Sequence, residues 1–222
     1  MHKLQRGDGP ACLDRYQHGE DRWETFVRDG QTPAVWAALE QMQGARCAYC
    51  EGSIGPDRRH IDHFRQKDTH RFPQGTFQWD NLFGSCVSDS SCGRFKDRCG
   101  TYDHALIIKP DGEDPDRYLV FVIDGTIAVR EGLDANGAHR ASETLRILGL
   151  NPNNGRLRNE RRSAVAGYLQ TAEFFCQISS EFPQEEWLPL LLEEIERIKD
   201  EPFCTAIRHA LTSAQTVGVS PI

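Results

Sequence analysis

Four cysteines between residues 47 and 92 constrain this chain more than any other feature. They sit in a segment, residues 46–104, that is rich in Cys, His, Asp, Arg, Gly and Ser and poor in aliphatic side chains. Such a stretch has little apolar area to set against the entropy of ordering its backbone. A bound metal is the expected substitute for a core. Cys47-Ala-Tyr-Cys50 is a CxxC pair, and Cys86 and Cys92 form a second, wider pair. Two short loops that each present two thiolates make a tetrahedral four-cysteine zinc site. Cys99 competes for the fourth place. A closed site of this kind leaves no open coordination position, so its Zn²⁺ is structural. The bland alternative, four unrelated buried thiols, needs an apolar core that this segment does not offer.

The remaining composition bounds the answer. With 222 residues, 38% hydrophobic and 27% charged, the chain suits one globular core with a small appended unit. No run of eighteen apolar residues is present, which excludes a transmembrane helix. The opening MHKLQRGDGPACLDRYQ has no apolar stretch of the secretory kind. A cytoplasmic location is therefore expected, and eight cysteines there read as metal ligands before disulfides. The net charge of −7 excludes a generally basic coat for nucleic acid, so any such binding must come from a local patch.

Four segments follow in order. Residues 1–45 read as helical, with an amphipathic stretch over 21–27 and a second helix over 34–42 behind Thr32-Pro33, taken as a cap with proline at the first helical position. Residues 46–104 form the cysteine and histidine module. Residues 105–150 hold a hairpin, YLVFVIDGTIAVR with Asp124-Gly125 as its turn, and then a helix over 138–148 stopped at Gly149. Residues 151–222 predict two or three helices, running to about Ala214. Within them, residues 181–201 carry eight acids against two bases, with Trp187, Leu190, Leu191, Ile195 and Ile198 on one stripe. That stripe reads as a helix docked on a core, or as a face for a partner. The fold class expected is α+β.

Between the two cysteine pairs lies His60-Ile-Asp62-His63-Phe64. Neighbouring residues of a strand point to opposite faces, so Asp62 shares a face with His60 and His63 shares one with Ile61. A carboxylate suits Mg²⁺ or a similar hard cation. A neutral histidine beside it suits activation of a water. Hydrolysis of a phosphodiester needs both.

The order CxxC, Asp-His, Asn-Leu and a second cysteine pair leading into Gly-Arg-Phe-Lys resembles the HNH endonuclease family. The resemblance implies a ββα-metal centre stapled by a four-cysteine zinc knuckle. It makes Asp62 a ligand of a catalytic Mg²⁺ or Mn²⁺, His63 the general base, and Asn81 the asparagine that orders the loop behind the base. Cys47, Cys50, Cys86 and Cys92 correspond to the zinc ligands. Many zinc-stapled members carry His or Asn directly after the last cysteine as a second cation ligand, and here that position is Gly93. Asp97, one helical turn further on, is the expected replacement, with Asp89 and His104 as alternatives. CAYCE, HIDHFRQK, WDNL, SC…CGRFKD, DPDRYLVF…DG and ASETLRILGLN together resemble the PtuB-like nuclease subunits of Septu antiphage defence and related retron systems. That resemblance covers about residues 30–165, with HFRQK in place of the commoner HFRPK. It implies a bacterial protein, an ATPase partner of the PtuA-like kind, and cleavage of DNA or RNA.

Phosphate contact needs local positive charge. Arg65, Lys67, Arg94 and Lys96 flank the Asp-His pair and are the candidate nucleic-acid contacts. Arg156, Arg158, Arg161 and Arg162 form a further cluster that reads as a solvated face. Cys12, Cys176 and Cys204 read as ordinary buried thiols. A non-catalytic, zinc-stapled adaptor for nucleic acid or an ATPase is the second reading, and Gly93 speaks for it. A redox role for Cys47-Cys50 lacks the βαβ context such a motif requires.

Overall fold

Residues 59–63 and 82–86 hold few β-formers, Ile61 and Phe83 among them, and nevertheless pair as strands β1 (Arg59–His63) and β2 (Leu82–Cys86). The pair is antiparallel, with Asp62 opposite Phe83 and His63 opposite Leu82. Helix α3 (Cys92–Arg98) follows β2 and packs on both strands. The computed structural model describes residues 1–68 and 70–213. The last residues of the expected C-terminal segment, from Ala214 on, lie outside the described residues.

Two helices precede this unit, α1 (Trp23–Arg28) and α2 (Thr32–Gln43). Thr32 is the first residue of α2, not its cap, and Pro33 sits where its missing N–H costs nothing. Val35, Leu39 and Met42 give α2 its buried face. The buried Gln43 amide then completes the edge of β2. Its Nε2 donates to the Gly84 carbonyl at 2.9 Å, and its Oε1 accepts from the Gly84 N–H at 2.9 Å. A side chain thus substitutes for a third strand.

The hairpin is present as β3 (Leu119–Phe121) and β4 (Ile127–Val129). Gly125 at its turn has φ 87°, and a Cβ there would strike the Arg158 carbonyl, so only glycine fits. Helix α4 (Ala135–Ile147) starts three residues before the sequence suggests, because Asp134 caps it by accepting from the Gly137 N–H at 2.6 Å. Gly149, φ 54°, ends it.

Four helices follow, α5 (Arg156–Ala166), α6 (Leu169–Glu181), α7 (Gln184–Ile198) and α8 (Cys204–Thr212), where two or three were expected. The acidic α7 docks through Trp187, Leu191 and Ile198, which cluster with Phe175 of α6 and Ile207 and Leu211 of α8. Leu190 departs from the expected stripe and is half exposed. No helix among the described residues is long and apolar enough to cross a membrane.

The cysteine-rich segment does own part of a core. Tyr49, Ile54, Phe64, Leu82 and Phe83 are buried in the same cluster as Leu39 of α2 and Leu148, Leu150 and Leu157 from later in the chain. These apolar residues share one core with elements outside the segment. The result is a mixed α/β fold of eight α-helices and two small sheets among the described residues.

Candidate metal and catalytic site

The Sγ atoms of Cys47, Cys50, Cys86 and Cys92 lie within 4.8 Å of one another. The CxxC loop is shaped for this. The Cys47 N–H donates to the Gly52 carbonyl at 2.9 Å, the Glu51 N–H to the Cys47 carbonyl at 3.0 Å, and the Gly52 N–H to Cys50 Sγ at 3.4 Å. Glu51 and Cys92 adopt left-handed backbone, φ 66° and 63°, to turn the chain around the cluster. Burial opposes a thiolate at Cys47, but hydrogen bonds from the other three thiols outweigh it and push its pKa well down, while Cys50 and Cys92 are pushed up. Four sulfurs so close can all ionise only around a cation. The donor set, four thiolates from two loops, fits a metal such as zinc. Cys99 is not among them: its thiol donates to the Ile147 carbonyl at 3.7 Å.

Tyr49, the spacer inside the CxxC pair, reaches from this cluster to β1. Its hydroxyl donates to Asp62 Oδ2 at 2.5 Å. Burial, and then the Asp62 carboxylate, hold the Tyr49 phenol well above its usual pKa, so it remains a donor. Asp62 is itself buried, at 2% exposure. Its Oδ1 makes no hydrogen bond among the described residues. Lys96 Nζ is in ion-pair contact with it at 3.3 Å, and donates to the His63 carbonyl and to Asp97 Oδ1, both at 2.8 Å. Burial works against the Lys96 charge, but Asp62, Tyr102 and Asp97 outweigh it and raise its pKa above the ordinary lysine value.

His63 points the other way, as strand alternation requires. Its Nε2 lies 3.0 Å from the Thr76 carbonyl. A carbonyl only accepts, so Nε2 carries the proton and Nδ1 keeps a lone pair. The Trp23 ring stands edge-on to the imidazole, with centroids 4.7 Å apart. Burial lowers the His63 pKa to about 4, which leaves the ring neutral at pH 7. Asn81 ties the segment behind it. Its Oδ1 accepts from the Arg65 N–H at 2.8 Å, and its Nδ2 donates to the Arg65 and Gly75 carbonyls at 3.0 and 3.1 Å.

The structure sorts the remaining candidates. His63, Gln66, Lys67, Asp68, Arg71 and Asp97 line one cleft of about 310 Å³. Lys67 and Arg71 thus share the cleft with the imidazole, and Lys67 Nζ lies 3.9 Å from Glu24. Arg65 opens onto neighbouring clefts, with its guanidinium 3.4 Å from the centre of the Phe72 ring. Arg94 is exposed on α3, near Asp89. Lys96 departs from its expected role: α3 turns it fully inward, where its ammonium is spent on Asp62, Asp97 and a carbonyl. Asp97 borders the His63 cleft with one oxygen on Lys96. Asp89 is exposed and pairs with Arg98, and His104 lies in the Arg65 clefts. The arginine cluster on α5 is mostly tied down, with Arg156 on Glu160, Arg158 on Asp124 and Arg161 buried against the Leu150 and Leu157 carbonyls. Of the three cysteines read as buried, Cys204 is buried, Cys12 is half-buried and Cys176 is exposed.

The chain is 27% identical over 127 residues to the Septu protein PtuB of Bacillus thuringiensis. The match covers 54% of this chain and 46% of that protein, so the chain spans about half the length of the relative. No family model matches the chain. The similarity to PtuB is distant, and it agrees with the Septu resemblance carried by the sequence boxes.

Three site residues escape a reading of the sequence. Tyr49 looks like a spacer, yet it holds Asp62. Trp23 looks like core filling on an amphipathic helix, yet it walls His63. His60 is half-buried beside Asp62, its Nε2 4.0 Å from Oδ1, and neither of its ring nitrogens has a hydrogen bond among the described residues. For His60 the signal was available, because strand alternation places it on the Asp62 face.

Proposed function

We propose that this protein is a metal-dependent nuclease of the HNH type, hydrolysing phosphodiester bonds of DNA or RNA as the effector of a bacterial antiphage defence system with an ATPase partner. One observation carries the reading most: a neutral imidazole, fixed by the Thr76 carbonyl through Nε2 so that Nδ1 keeps its lone pair, stands next in sequence to a buried carboxylate whose Oδ1 makes no hydrogen bond. The β1–β2–α3 arrangement, the Asn81 tether and the adjoining four-cysteine cluster support it. The distant similarity to PtuB supports the defence role.

His63 Nδ1 takes the proton from a water, the hydroxide attacks phosphorus, and the P–O bond to the leaving oxygen breaks, that oxygen taking a proton from solvent. Asp62 would hold a divalent Mg²⁺ or Mn²⁺, whose chemistry is to neutralise charge on the phosphate and the leaving oxygen. Lys67 and Arg71 stand where the cleft meets solvent and would contact phosphate, with Arg65 and Arg94 further along the strand. Zinc, on Cys47, Cys50, Cys86 and Cys92, would be structural. With a net charge of −7 and only small basic patches, the chain alone is expected to bind nucleic acid weakly, and the partner delivers the substrate.

A non-catalytic adaptor is the second reading, and the Lys96 ammonium on Asp62 favours it, since an internal cation already neutralises that carboxylate. The deciding experiment is cleavage of plasmid DNA and total RNA by the purified chain with Mn²⁺ or Mg²⁺, beside His63→Ala, repeated with the co-purified ATPase. Cleavage by wild type and not by His63→Ala is expected. Equal cleavage by both would remove His63 as the base, and no cleavage in either setting would favour the adaptor.

A further inference from the structure

Gly93 stands at the position from which a helix side chain would meet a cation at Asp62, and it has no side chain to offer. The geometry around it is not that of an idle glycine. A Cβ at residue 93 would collide with Asp62 Oδ1, would lie 2.6 Å from Asp62 Cγ, and would lie 2.9 Å from His60 Nε2. Two polar atoms from β1 therefore close over the space that a residue other than glycine would fill. Both are without a hydrogen bond: Oδ1 of a carboxylate that is 2% exposed, which has only the Lys96 ammonium at 3.3 Å, and Nε2 of a ring whose other nitrogen has no hydrogen bond either. Buried polar atoms in native proteins are nearly always satisfied, so a converging unsatisfied pair marks a missing partner. An acceptor oxygen and an imidazole nitrogen are also a ligand pair.

We propose that His60 is the second protein ligand of the divalent cation at Asp62, supplied from strand β1 in place of the helix side chain that Gly93 lacks. The inference rests on the nuclease reading and deepens it. Asp97, the replacement that the sequence suggests, is less well placed, since its Oδ1 is engaged by Lys96 and it borders the His63 cleft. Lys96 is not an obstacle, because its ammonium keeps the His63 carbonyl and Asp97 as partners when Oδ1 turns to a divalent ion. The tether between the Tyr49 hydroxyl and Oδ2 leaves Oδ1 as the oxygen that faces His60. The ligand type also sets the metal. Mg²⁺ prefers an all-oxygen shell, whereas a first-row transition ion accepts an imidazole beside a carboxylate, so this centre should bind Mn²⁺, the transition ion most tolerant of oxygen ligands, in preference to Mg²⁺.

The test is Mn²⁺ binding to the zinc-loaded full chain, followed by calorimetry and by pulsed EPR for coupling of the Mn²⁺ electron spin to an imidazole nitrogen. Wild type and His63→Ala are expected to bind Mn²⁺ with nitrogen coupling. His60→Ala, at a half-buried position and with its fold checked by circular dichroism, is expected to lose the coupling and at least about tenfold in affinity. Mn²⁺ bound by wild type without nitrogen coupling, and abolished by Asp62→Asn, would overturn the role of His60 and leave the nuclease reading standing. Equal Mn²⁺ binding by wild type and Asp62→Asn would overturn both.

Discussion

The Tyr49 hydroxyl donates to Asp62 Oδ2 at 2.5 Å, so the loop that supplies two of the cluster cysteines also fixes the carboxylate proposed to hold the cation. This couples the structural and the chemical halves of the site through one hydrogen bond. Tyr49→Phe removes that donor and nothing else of the ring. The variant is expected to keep its metal at the cysteine cluster and to lose about 1–3 kcal/mol in urea denaturation, the cost of an unmet buried acceptor. Mn²⁺ affinity should fall with it, because Asp62 then keeps only the Lys96 contact to hold its orientation. Unchanged affinity in a folded Tyr49→Phe protein would show that the carboxylate needs no such anchor.

Metal removal separates the cysteine cluster from a redox pair. Four clustered cysteines, three buried and Cys86 half-buried, with no disulfide among them, contribute most to folding free energy through a shared ion. Chelation, or Cys47→Ser, is expected to release one zinc per chain and to abolish the cooperative unfolding transition, read by metal analysis and circular dichroism. A Cys47→Ser protein that keeps its zinc and its transition would dismiss the cluster as a metal site.

Much of this was legible because it follows from local rules. The alternation of β1 places Asp62 and His63 on opposite faces, and the Asp-Gly turn and the Gly149 stop lie where their backbone chemistry demands. What the sequence hid depends on packing between distant segments. Nothing in the spacing of Gly-Arg-Phe-Lys says that α3 rolls Lys96 inward onto Asp62 and leaves Arg94 outside. Arg161 reads as one of four surface arginines until Leu150 and Leu157 present their carbonyls to it. Tyr49 is a spacer until β1 is placed beside the CxxC loop.

Asn81 satisfies both ends of the segment that follows β1, with one acceptor and two donor contacts. Asn81→Asp keeps the shape and the acceptor but faces two carbonyls with a carboxylate. The expected loss is about 2–3 kcal/mol, more than for a neutral unmet group at the low end of its range. Backbone amide exchange over residues 65–76 should accelerate, with β2 itself protected. If that segment exchanges as in wild type, His63 is held by something other than this tether.

Gly93→Ala offers the sharpest check on the geometry of the centre, because two rules give it opposite signs. Within a helix, alanine is ordinarily favoured over glycine by about 0.5–1 kcal/mol. Here the new methyl group meets the Asp62 carboxylate and His60 Nε2, and the carboxylate cannot move aside cheaply while Tyr49 and Lys96 hold it. Overpacking of this kind costs about 1–3 kcal/mol, so the substitution should lower the urea midpoint. In an Asp62→Ala background the carboxylate obstruction is gone and only the movable His60 ring remains against the methyl group, so the same change should cost clearly less. The difference between the two backgrounds is the coupling between residues 62 and 93, read from a double-mutant cycle. A Gly93→Ala protein more stable than wild type would mean that Asp62 and His60 do not close over residue 93, and the case for a shared cation there would fall with it.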